Sequence, residues 1–315
     1  MKQKKNSSRS KKNLIQKNES SKCDSNSSLV TALVSWKSVL ALLLVVLIGI
    51  YFNSSMADLK SKKFIAHAEE FISLKAQNIT CSKDYKNYPV FSQCTPIKTC
   101  GYKVIDGLFT ENEVKTLKGL LLRGMAYGGS KGGASVLDLH SGALSMGDKF
   151  VNIYKYLDNS DLQILLPSED VKTFALIKSK IHQSIAQHFG LELERLTLTN
   201  PSFFSRMTPT PAQTEHDEYW HKHIDKIQYG SFDYTSLIYL ADHNIDFTGG
   251  RFVFDNEQNA IIEPKAGRLV FFTSGSENPH HVEKVLSGTR LALTVAFTCD
   301  KKKGIRPPYN NFLTS

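Results

Sequence analysis

The residues best suited to metal chemistry are His223 and Asp225, which form an H-x-D pattern inside the segment YWHKHIDKIQYGSFDYTSLIYL. In an extended chain, residues i and i+2 point to the same side, so this imidazole and this carboxylate can converge on one ion. Further downstream, the segment NPHHVEKVLSGTR offers His280 or His281 as a third ligand. Two histidines and one carboxylate on one face of an ion form the facial triad of non-haem Fe(II) oxygenases, which leaves other positions open. The pattern therefore predicts an iron site.

Arg290 indicates what such a site would hold beside the metal. Two open positions can take the keto and carboxylate oxygens of a 2-oxo acid, and a third remains for oxygen. If the 2-oxo acid has a second carboxylate, that carboxylate would be buried in the site, and a buried charge needs a charged or hydrogen-bonding partner. Arg290 begins a predicted strand and shares one face of it with Thr294 and two alanines. A guanidinium can bind a carboxylate through two parallel hydrogen bonds, so this face predicts a carboxylate pocket.

Five segments over residues 102–300 resemble the 2-oxoglutarate- and Fe(II)-dependent oxygenases of the prolyl 4-hydroxylase type. They are the H-x-D motif, SLIYL, GGRFVF, EPKAGRLVFF and NPHHVEKVLSGTR. Their order and spacing carry the resemblance, because an H-x-D motif alone is a weak signal.

The resemblance implies both cofactors and the residues that bind them. It implies three metal and catalytic ligands for Fe(2+), namely His223, Asp225 and His280. Arg290 would bind the far carboxylate of 2-oxoglutarate, with Tyr239 and Thr294 as helpers. L-ascorbate, which keeps such iron reduced, is an expected further cofactor.

Other histidines and other protein classes compete with this interpretation. In the family pattern the distal histidine is followed by x-Val and, ten residues later, by Arg290, which favours His280 over His281. His221 is predicted to lie solvated at the rim, and the second H-x-E pattern at 216–218 has no downstream partner at the family spacing. Two alternatives remain: a membrane-anchored binding or scaffold protein on an inactive oxygenase fold, and a cupin-like metal protein without 2-oxoglutarate.

The elements around these residues predict an α+β fold over residues 101–315, namely a double-stranded β-helix (jelly roll) with supporting helices. Thr110 begins a capping box that opens one helix, and an amphipathic pattern predicts a second helix over 169–189. About eight short strands separated by turns follow. The Gly-rich segment GGSKGGASVLDLHSG between the helices predicts a flexible surface loop.

The N-terminal residues divide into a basic tail and an apolar span. Residues 1–28 carry eight Lys or Arg against two acidic residues and almost no large apolar side chains, which predicts a disordered tail. Residues 29–52, with Lys37 as their only charge, predict a single transmembrane helix that acts as a signal anchor. The tail accounts for most of the net charge of +9, so the rest of the chain has no basic face for nucleic acid.

The flanking charges predict the orientation and compartment. More basic residues precede the span than follow it, so the tail should be cytoplasmic. This is the arrangement of a single-pass type II membrane protein, with its catalytic domain in the lumen of the endoplasmic reticulum or Golgi, or outside the cell. The lipid bilayer is then a predicted partner.

Residues 53–100 are predicted to form a stem and a Cys-containing segment. Residues 55–77 predict a polar helix, and Asn78 begins a sequon for N-glycosylation. Four cysteines lie beyond the tail, namely Cys81, Cys94, Cys100 and Cys299. Four cysteines, an even number, in an oxidising compartment predict two disulfides, and three pairings of these cysteines are possible.

Together these patterns predict a membrane-anchored dioxygenase that hydroxylates a side chain of a lumenal polypeptide and releases succinate and CO2. Proline is the first candidate for that side chain, by the resemblance alone. The oligomeric state stays open.

Overall fold

The computed structural model describes these parts of the chain: residues 36–61, 63–256 and 259–305, without the side chains of 54–61. The chain divides at Ser55 into two units. The predicted disordered tail 1–28 and the start of the predicted anchor, 29–35, lie outside the described residues.

Helix α1 (Trp36–Ser61) contains the apolar N-terminal span. Over Trp36–Asn53 it is long and apolar enough to cross a membrane, and it is the one such helix among the described residues. Every side chain of that span is exposed. A helix that is hydrophobic on all faces without being buried has the composition of a membrane span.

The second unit combines helices with many short strands. Its described helices are α2 (Glu111–Ala126), α3 (Ile153–Tyr156), α4 (Asn159–Leu165), α5 (Ser168–Phe189) and α6 (Asp225–Tyr229). Its described strands are β1 (Lys63–Ala66), β2 (Lys75–Ile79), β3 (Cys100–Ile105), β4 (Gly129–Ser130), β5 (Ala134–Leu137), β6 (Ala143–Gly147), β7 (Lys149–Asn152), β8 (Thr197–Met207), β9 (Tyr234–Tyr239), β10 (Phe247–Gly249), β11 (Phe252–Phe254), β12 (Ala260–Ile262), β13 (Leu269–Thr273), β14 (His280–Val282), β15 (Val285–Gly288) and β16 (Arg290–Thr298). Both predicted helices are confirmed, and the Thr110 capping box at the start of α2 is present.

Two sheets enclose the interior of this unit. The large sheet runs in the order β2-β3-β13-β9-β16-β8-β5-β6-β4, with β7 paired to β6. The small sheet runs β1-β12-β11-β14, and β10 and β15 form a separate pair. Apolar side chains from both sheets meet in one buried cluster, which includes Tyr102, Phe254 and Phe272. The predicted β-rich, jelly-roll-like core with supporting helices is therefore present.

The large sheet buries its two faces against different partners. On β16, Leu291, Leu293 and Val295 belong to the cluster that packs against α2 and α5. Ala292 belongs to the interior cluster between the sheets. The alternation predicted for this strand is therefore confirmed, and it directs the face of Arg290 toward the interior.

The predicted stem helix over 55–77 is wrong beyond Ser61. Strand β1 pairs in parallel with β12, and β2 pairs antiparallel with β3, so both sheets already receive strands from residues before 101. The buried positions of β1 are consecutive, Ile65 and Ala66. A four-residue strand with this burial lacks the alternation that would have distinguished it from a helix.

The predicted loop in the Gly-rich segment is also wrong, because β4 and β5 lie within it. Its glycines allow close packing: a Cβ atom on Gly132 would lie 2.1 Å from Oδ2 of Asp217. That buried carboxylate accepts a hydrogen bond from the Ser130 hydroxyl at 2.7 Å. The glycine content here reflects close approach rather than chain flexibility.

Two disulfides are present, as predicted, and the structure selects their pairing. Cys81 bonds to Cys100, and Cys94 bonds to Cys299. The second bridge joins the segment before β3 to the residue that follows β16, so it fixes the end of a central strand.

Candidate metal and 2-oxoglutarate site

A backbone bridge brings His223 and His280 together. The amide of His223 donates to the carbonyl of His280 at 2.9 Å, and the amide of His280 donates to the carbonyl of His223 at 3.0 Å. His280 opens β14, whereas His223 lies two residues before Asp225, the first residue of α6. The reciprocal bonds join the two segments that carry the predicted ligands.

The three side chains converge on one point. Oδ1 of Asp225 lies 3.6 Å from Nε2 of His223 and 3.7 Å from Nε2 of His280. The ligand atoms of all three residues lie within 4.8 Å of one another. The structure thus brings together His223, Asp225 and His280.

Both imidazoles are oriented by hydrogen bonds at their other nitrogen. Nδ1 of His223 lies 3.0 Å from the carbonyl oxygen of His221, and Nδ1 of His280 lies 2.9 Å from that of Asn278. A carbonyl only accepts, so each Nδ1 carries a proton, and Nε2 is the nitrogen that faces Asp225. Nitrogens fixed in this way are suited to bind a metal.

The two imidazoles differ in their exposure. The His223 side chain is 32 % exposed, whereas that of His280 is 5 % exposed. The His280 ring lies 5.0 Å from the ring of Phe252 and 4.9 Å from that of Phe272, between centroids. Burial lowers the pKa of His280 to about 4, so its imidazole is neutral near pH 7. The site is therefore walled by aromatic rings on one side and open at His223.

The second oxygen of Asp225 has a dedicated donor. The Thr235 hydroxyl donates to Oδ2 at 2.6 Å, and the Ser274 hydroxyl lies 2.9 Å from the Thr235 oxygen. Sequence reasoning missed both hydroxyls. Alternation along β9 could have indicated Thr235, since it shares a face with the predicted Tyr239.

Arg290 lies fully buried, and no carboxylate among the described residues forms a salt bridge with it. Its Nε donates to the Gly250 carbonyl at 2.9 Å, and its Nη1 lies 3.6 Å from the thioether sulfur of Met207. Its Nη2 is buried, with no hydrogen-bond partner among the described residues. Burial lowers the pKa of Arg290, because removal from water disfavours the charged form of the guanidinium.

Arg268 shows how a buried arginine is normally satisfied in this fold. Its Nε and Nη2 each donate to a different carboxylate oxygen of Asp106 at 2.9 Å. Its remaining donors reach the carbonyls of His67, Glu70 and Glu263. Arg290 has no such carboxylate in the described part of the chain, so its surroundings fit an anionic group that comes from outside.

Tyr239 and Thr294 lie on the same interior face as Arg290. The guanidinium carbon of Arg290 lies 5.3 Å from the centre of the Tyr239 ring. The Tyr239 hydroxyl is buried and makes no hydrogen bond of good geometry to a described residue, although it lies close enough to the Arg290 guanidinium to interact with it. Burial raises the pKa of Tyr239 to about 12. Thr294 pairs with Leu237, two residues before Tyr239, which places it one step along the same face.

Tyr102 is a further interior residue that sequence reasoning missed. It belongs to the interior cluster of Tyr239, and its hydroxyl is likewise buried without a partner in the described part of the chain. Tyr102 lies outside the motifs of the predicted site, so no pattern in the sequence selected it.

The competing histidines point elsewhere. Nδ1 of His281 contacts Oδ2 of Asp255, and Nε2 of His221 lies 2.7 Å from Oε2 of Glu218. His221 is exposed, as predicted for a rim residue. Neither joins the three converging side chains.

The sequence profile of the 2OG-Fe(II) oxygenase superfamily matches residues 209–298, the part of the chain that carries this site. A rat protein named 2-oxoglutarate and iron-dependent oxygenase domain-containing protein 3 is 47 % identical over 87 % of this chain and 87 % of its own. The chain belongs to the 2OG-Fe(II) oxygenase superfamily. The human protein of that name is 46 % identical over 82 % of this chain and 80 % of its own. Human prolyl 3-hydroxylase 2 is 44 % identical over 22 % of this chain and 10 % of its own.

The residues present fit the two groups that the family uses. Two imidazole nitrogens and one carboxylate oxygen are a suitable donor set for Fe(II). A buried guanidinium with an unsatisfied donor, beside a buried and unsatisfied hydroxyl, suits the far carboxylate of 2-oxoglutarate. This oxygenase therefore retains the chemical groups that its cofactors require.

Proposed function

We propose that the protein is a membrane-anchored 2-oxoglutarate- and Fe(II)-dependent dioxygenase that hydroxylates a side chain of a lumenal polypeptide. The observation that carries the proposal is the convergence of His223, Asp225 and His280 on the same interior that holds the unpartnered Arg290. A structural role explains neither the converging ligand atoms nor a buried charge without a partner.

In this proposal the chain binds and orients the reactants. His223, Asp225 and His280 hold Fe(II), and Arg290 binds the far carboxylate of 2-oxoglutarate, helped by Tyr239 and Thr294. When bound, these cofactors would supply the oxidation: one atom of O2 would enter succinate as 2-oxoglutarate loses CO2, and the other would convert a C–H bond of the substrate to C–OH. The aromatic rings around His280 exclude water on the closed side.

L-ascorbate completes the proposed set of cofactors. An iron that is oxidised without a productive turnover no longer supports the reaction, and a small reductant restores Fe(II). The open side at His223 is the route by which such a reductant could approach the metal.

Several features support the proposed anchor and compartment. Trp36–Asn53 has the length and hydropathy of a membrane span, and the basic tail precedes it. The two disulfides suit an oxidising compartment. Asn78 is exposed on β2, an edge strand of the large sheet, where a glycan could be attached. We therefore propose a type II orientation with a glycosylated catalytic unit in the lumen.

A polypeptide substrate, with proline as the first candidate side chain, is proposed by analogy with a relative. One of them is named a prolyl 3-hydroxylase, although the match covers only 22 % of this chain. The open side at His223 would let a side chain reach the metal while the polypeptide backbone stays outside.

An anaerobic titration of the full chain in detergent tests the site. Fe(II) and then 2-oxoglutarate are added, and the visible charge-transfer absorption of the chelated 2-oxo acid is followed. The band should appear in the wild type and disappear in His280→Ala. His281→Ala is the matched control, because this neighbouring imidazole points to Asp255 and its loss should leave the band intact. A folded wild type that gives no band would contradict the proposal and favour a scaffold role.

Orientation and substrate need separate measurements. In sealed microsomes the catalytic unit should resist added protease, and Asn78→Gln should remove a glycosidase-sensitive mass. For the substrate, proline-containing peptides should gain one oxygen atom in the presence of 2-oxoglutarate, Fe(II) and ascorbate. Turnover of 2-oxoglutarate on a peptide without proline would reject proline as the target while leaving the oxygenase assignment intact.

A further inference from the structure

The second oxygen of Asp225 is held by a chain of hydroxyl groups. Thr235 and Ser274 are buried, with 4 % and 1 % of their surfaces exposed. Thr235 Oγ1 lies 2.6 Å from Oδ2 of Asp225, while Oδ1 of that aspartate faces the two histidines. The two oxygens of one carboxylate therefore have different surroundings.

The proton positions in this chain follow from its chemistry. An ionised carboxylate only accepts, so Thr235 must donate its single hydroxyl proton to Asp225. Ser274, 2.9 Å away, must then donate to the Thr235 oxygen. Both protons point toward the aspartate, which strengthens the bond to Oδ2.

The surrounding backbone fixes these hydroxyls in place. The amide of Ser274 donates to the Asp233 carbonyl at 3.0 Å, and the amide of Lys226 donates to the Ser274 carbonyl at 2.8 Å. The Lys226 ammonium also donates to a carboxylate oxygen of Asp233 at 2.8 Å, and both side chains are buried. Lys226, which follows the predicted metal ligand, is thus bonded to Asp233 just before β9 and to Ser274 just after β13.

We infer that Thr235, backed by Ser274, is a positioning residue that keeps Asp225 a one-oxygen ligand. This inference rests on the proposed function. A carboxylate that binds through both oxygens would take a coordination position that the triad otherwise leaves open. The 2-oxo acid and oxygen need those positions, so occupying Oδ2 with a hydrogen bond protects binding of the co-substrate as well as orienting the ligand.

The test compares three variants of the full chain in detergent, titrated anaerobically with Fe(II) and then with 2-oxoglutarate. Thr235→Val removes the hydroxyl and keeps the branched shape, whereas Thr235→Ser keeps the hydroxyl. Ser236→Ala is the matched control: Ser236 is the next residue of β9, is also buried, and donates to the Val295 carbonyl at 2.7 Å. Thermal unfolding of the metal-free proteins shows that each variant is folded.

Thr235→Val should weaken Fe(II) binding by about 10- to 100-fold, the usual effect of losing an outer hydrogen bond to a metal ligand. It should also weaken 2-oxoglutarate binding at saturating Fe(II) and shift the visible band, because the coordination of Asp225 changes. Thr235→Ser should restore all three readings, and Ser236→Ala should leave them at wild-type values.

Two outcomes would overturn this inference and leave the proposed function standing. The first is a folded Thr235→Val variant with wild-type affinities and an unshifted band. The second is an equal loss of Fe(II) and 2-oxoglutarate affinity in Ser236→Ala, which would indicate general loosening of β9. If the wild type itself bound no Fe(II), the proposed function would fail together with this inference. The wild-type titration therefore separates the two failures.

Discussion

Replacement of Arg290 by methionine tests whether this residue binds a ligand or stabilises the fold. Arg290 is 1 % exposed, and its Nη2 has no hydrogen-bond partner among the described residues. A buried charge without a partner costs free energy of folding, so its removal does not destabilise the protein by that route. Arg290→Met should therefore leave the free energy of unfolding of the cofactor-free protein unchanged or higher.

The same variant should lose affinity for 2-oxoglutarate. Truncating one partner of a buried, hydrogen-bonded charge pair costs about 2–5 kcal/mol of binding. This range corresponds to a loss of about 30-fold to several thousandfold in affinity. Anaerobic titration of the Fe(II)-loaded protein with 2-oxoglutarate measures it, and Fe(II) affinity itself should change little.

Arg268→Met is the control in which loss of a buried arginine should destabilise the fold. Arg268 is equally buried but forms a two-bonded pair with Asp106, so its removal strands a buried carboxylate. That should lower the free energy of unfolding by about 3–5 kcal/mol in a denaturant titration. If Arg290→Met were as destabilising as Arg268→Met and bound 2-oxoglutarate normally, the assignment of Arg290 to the co-substrate would be refuted.

Three further predictions concern stability. Cys94→Ser opens a bridge that spans 205 residues and Cys81→Ser one that spans 19, so chain entropy predicts losses of about 5 and about 3 kcal/mol in denaturant titrations; equal losses would contradict this ranking. Burial lowers the pKa of Lys178 from 10.5 to about 8, so the unfolded chain binds more protons between these values and stability should rise with pH across that window. Unfolding midpoints against pH should show the rise in the wild type, and Lys178→Met should reduce it, leaving the smaller part due to Lys103, whose pKa is also lowered by burial. Lys226→Met leaves Asp233 buried without its ammonium and should cost about 3–5 kcal/mol, whereas an unchanged midpoint would mean that the pair is dispensable.

Local patterns in the sequence anticipated much of the fold. Neighbouring residues were enough to predict the helices α2 and α5 and the alternation along β16. The number of cysteines was enough to predict two disulfides. The paths of β1 and β4 could not be predicted in this way, because such short strands acquire their identity from partners far away in the chain. Cysteine pairing was inaccessible for the same reason, since Cys94 and Cys299 are brought together only by the finished sheet.

In the candidate site, too, some residues could be predicted from the sequence and others could not. His223 and Asp225 could be selected because their spacing has a chemical meaning, and the structure brings His280, rather than His281, to them. Thr235 and Ser274 carry no motif, and they matter only because two strands place their hydroxyls beside one carboxylate oxygen. Likewise, that Arg290 lacks an internal partner is a property of the folded environment and cannot be read from its neighbours in sequence.

The position of β16 has a consequence for biosynthesis. This strand lies between β9 and β8, so both of them expose unpaired edges until residue 298 has been synthesised. At about 5–20 residues per second, the 205 positions from Cys94 to Cys299 take about 10–40 s to appear. Throughout that interval the Cys94 thiol has no correct partner, while Cys81 and Cys100 are already available to it. We therefore expect oxidative refolding of the reduced protein to be faster when a disulfide isomerase is added, because a wrong bridge formed by Cys94 must be exchanged before the native one can form.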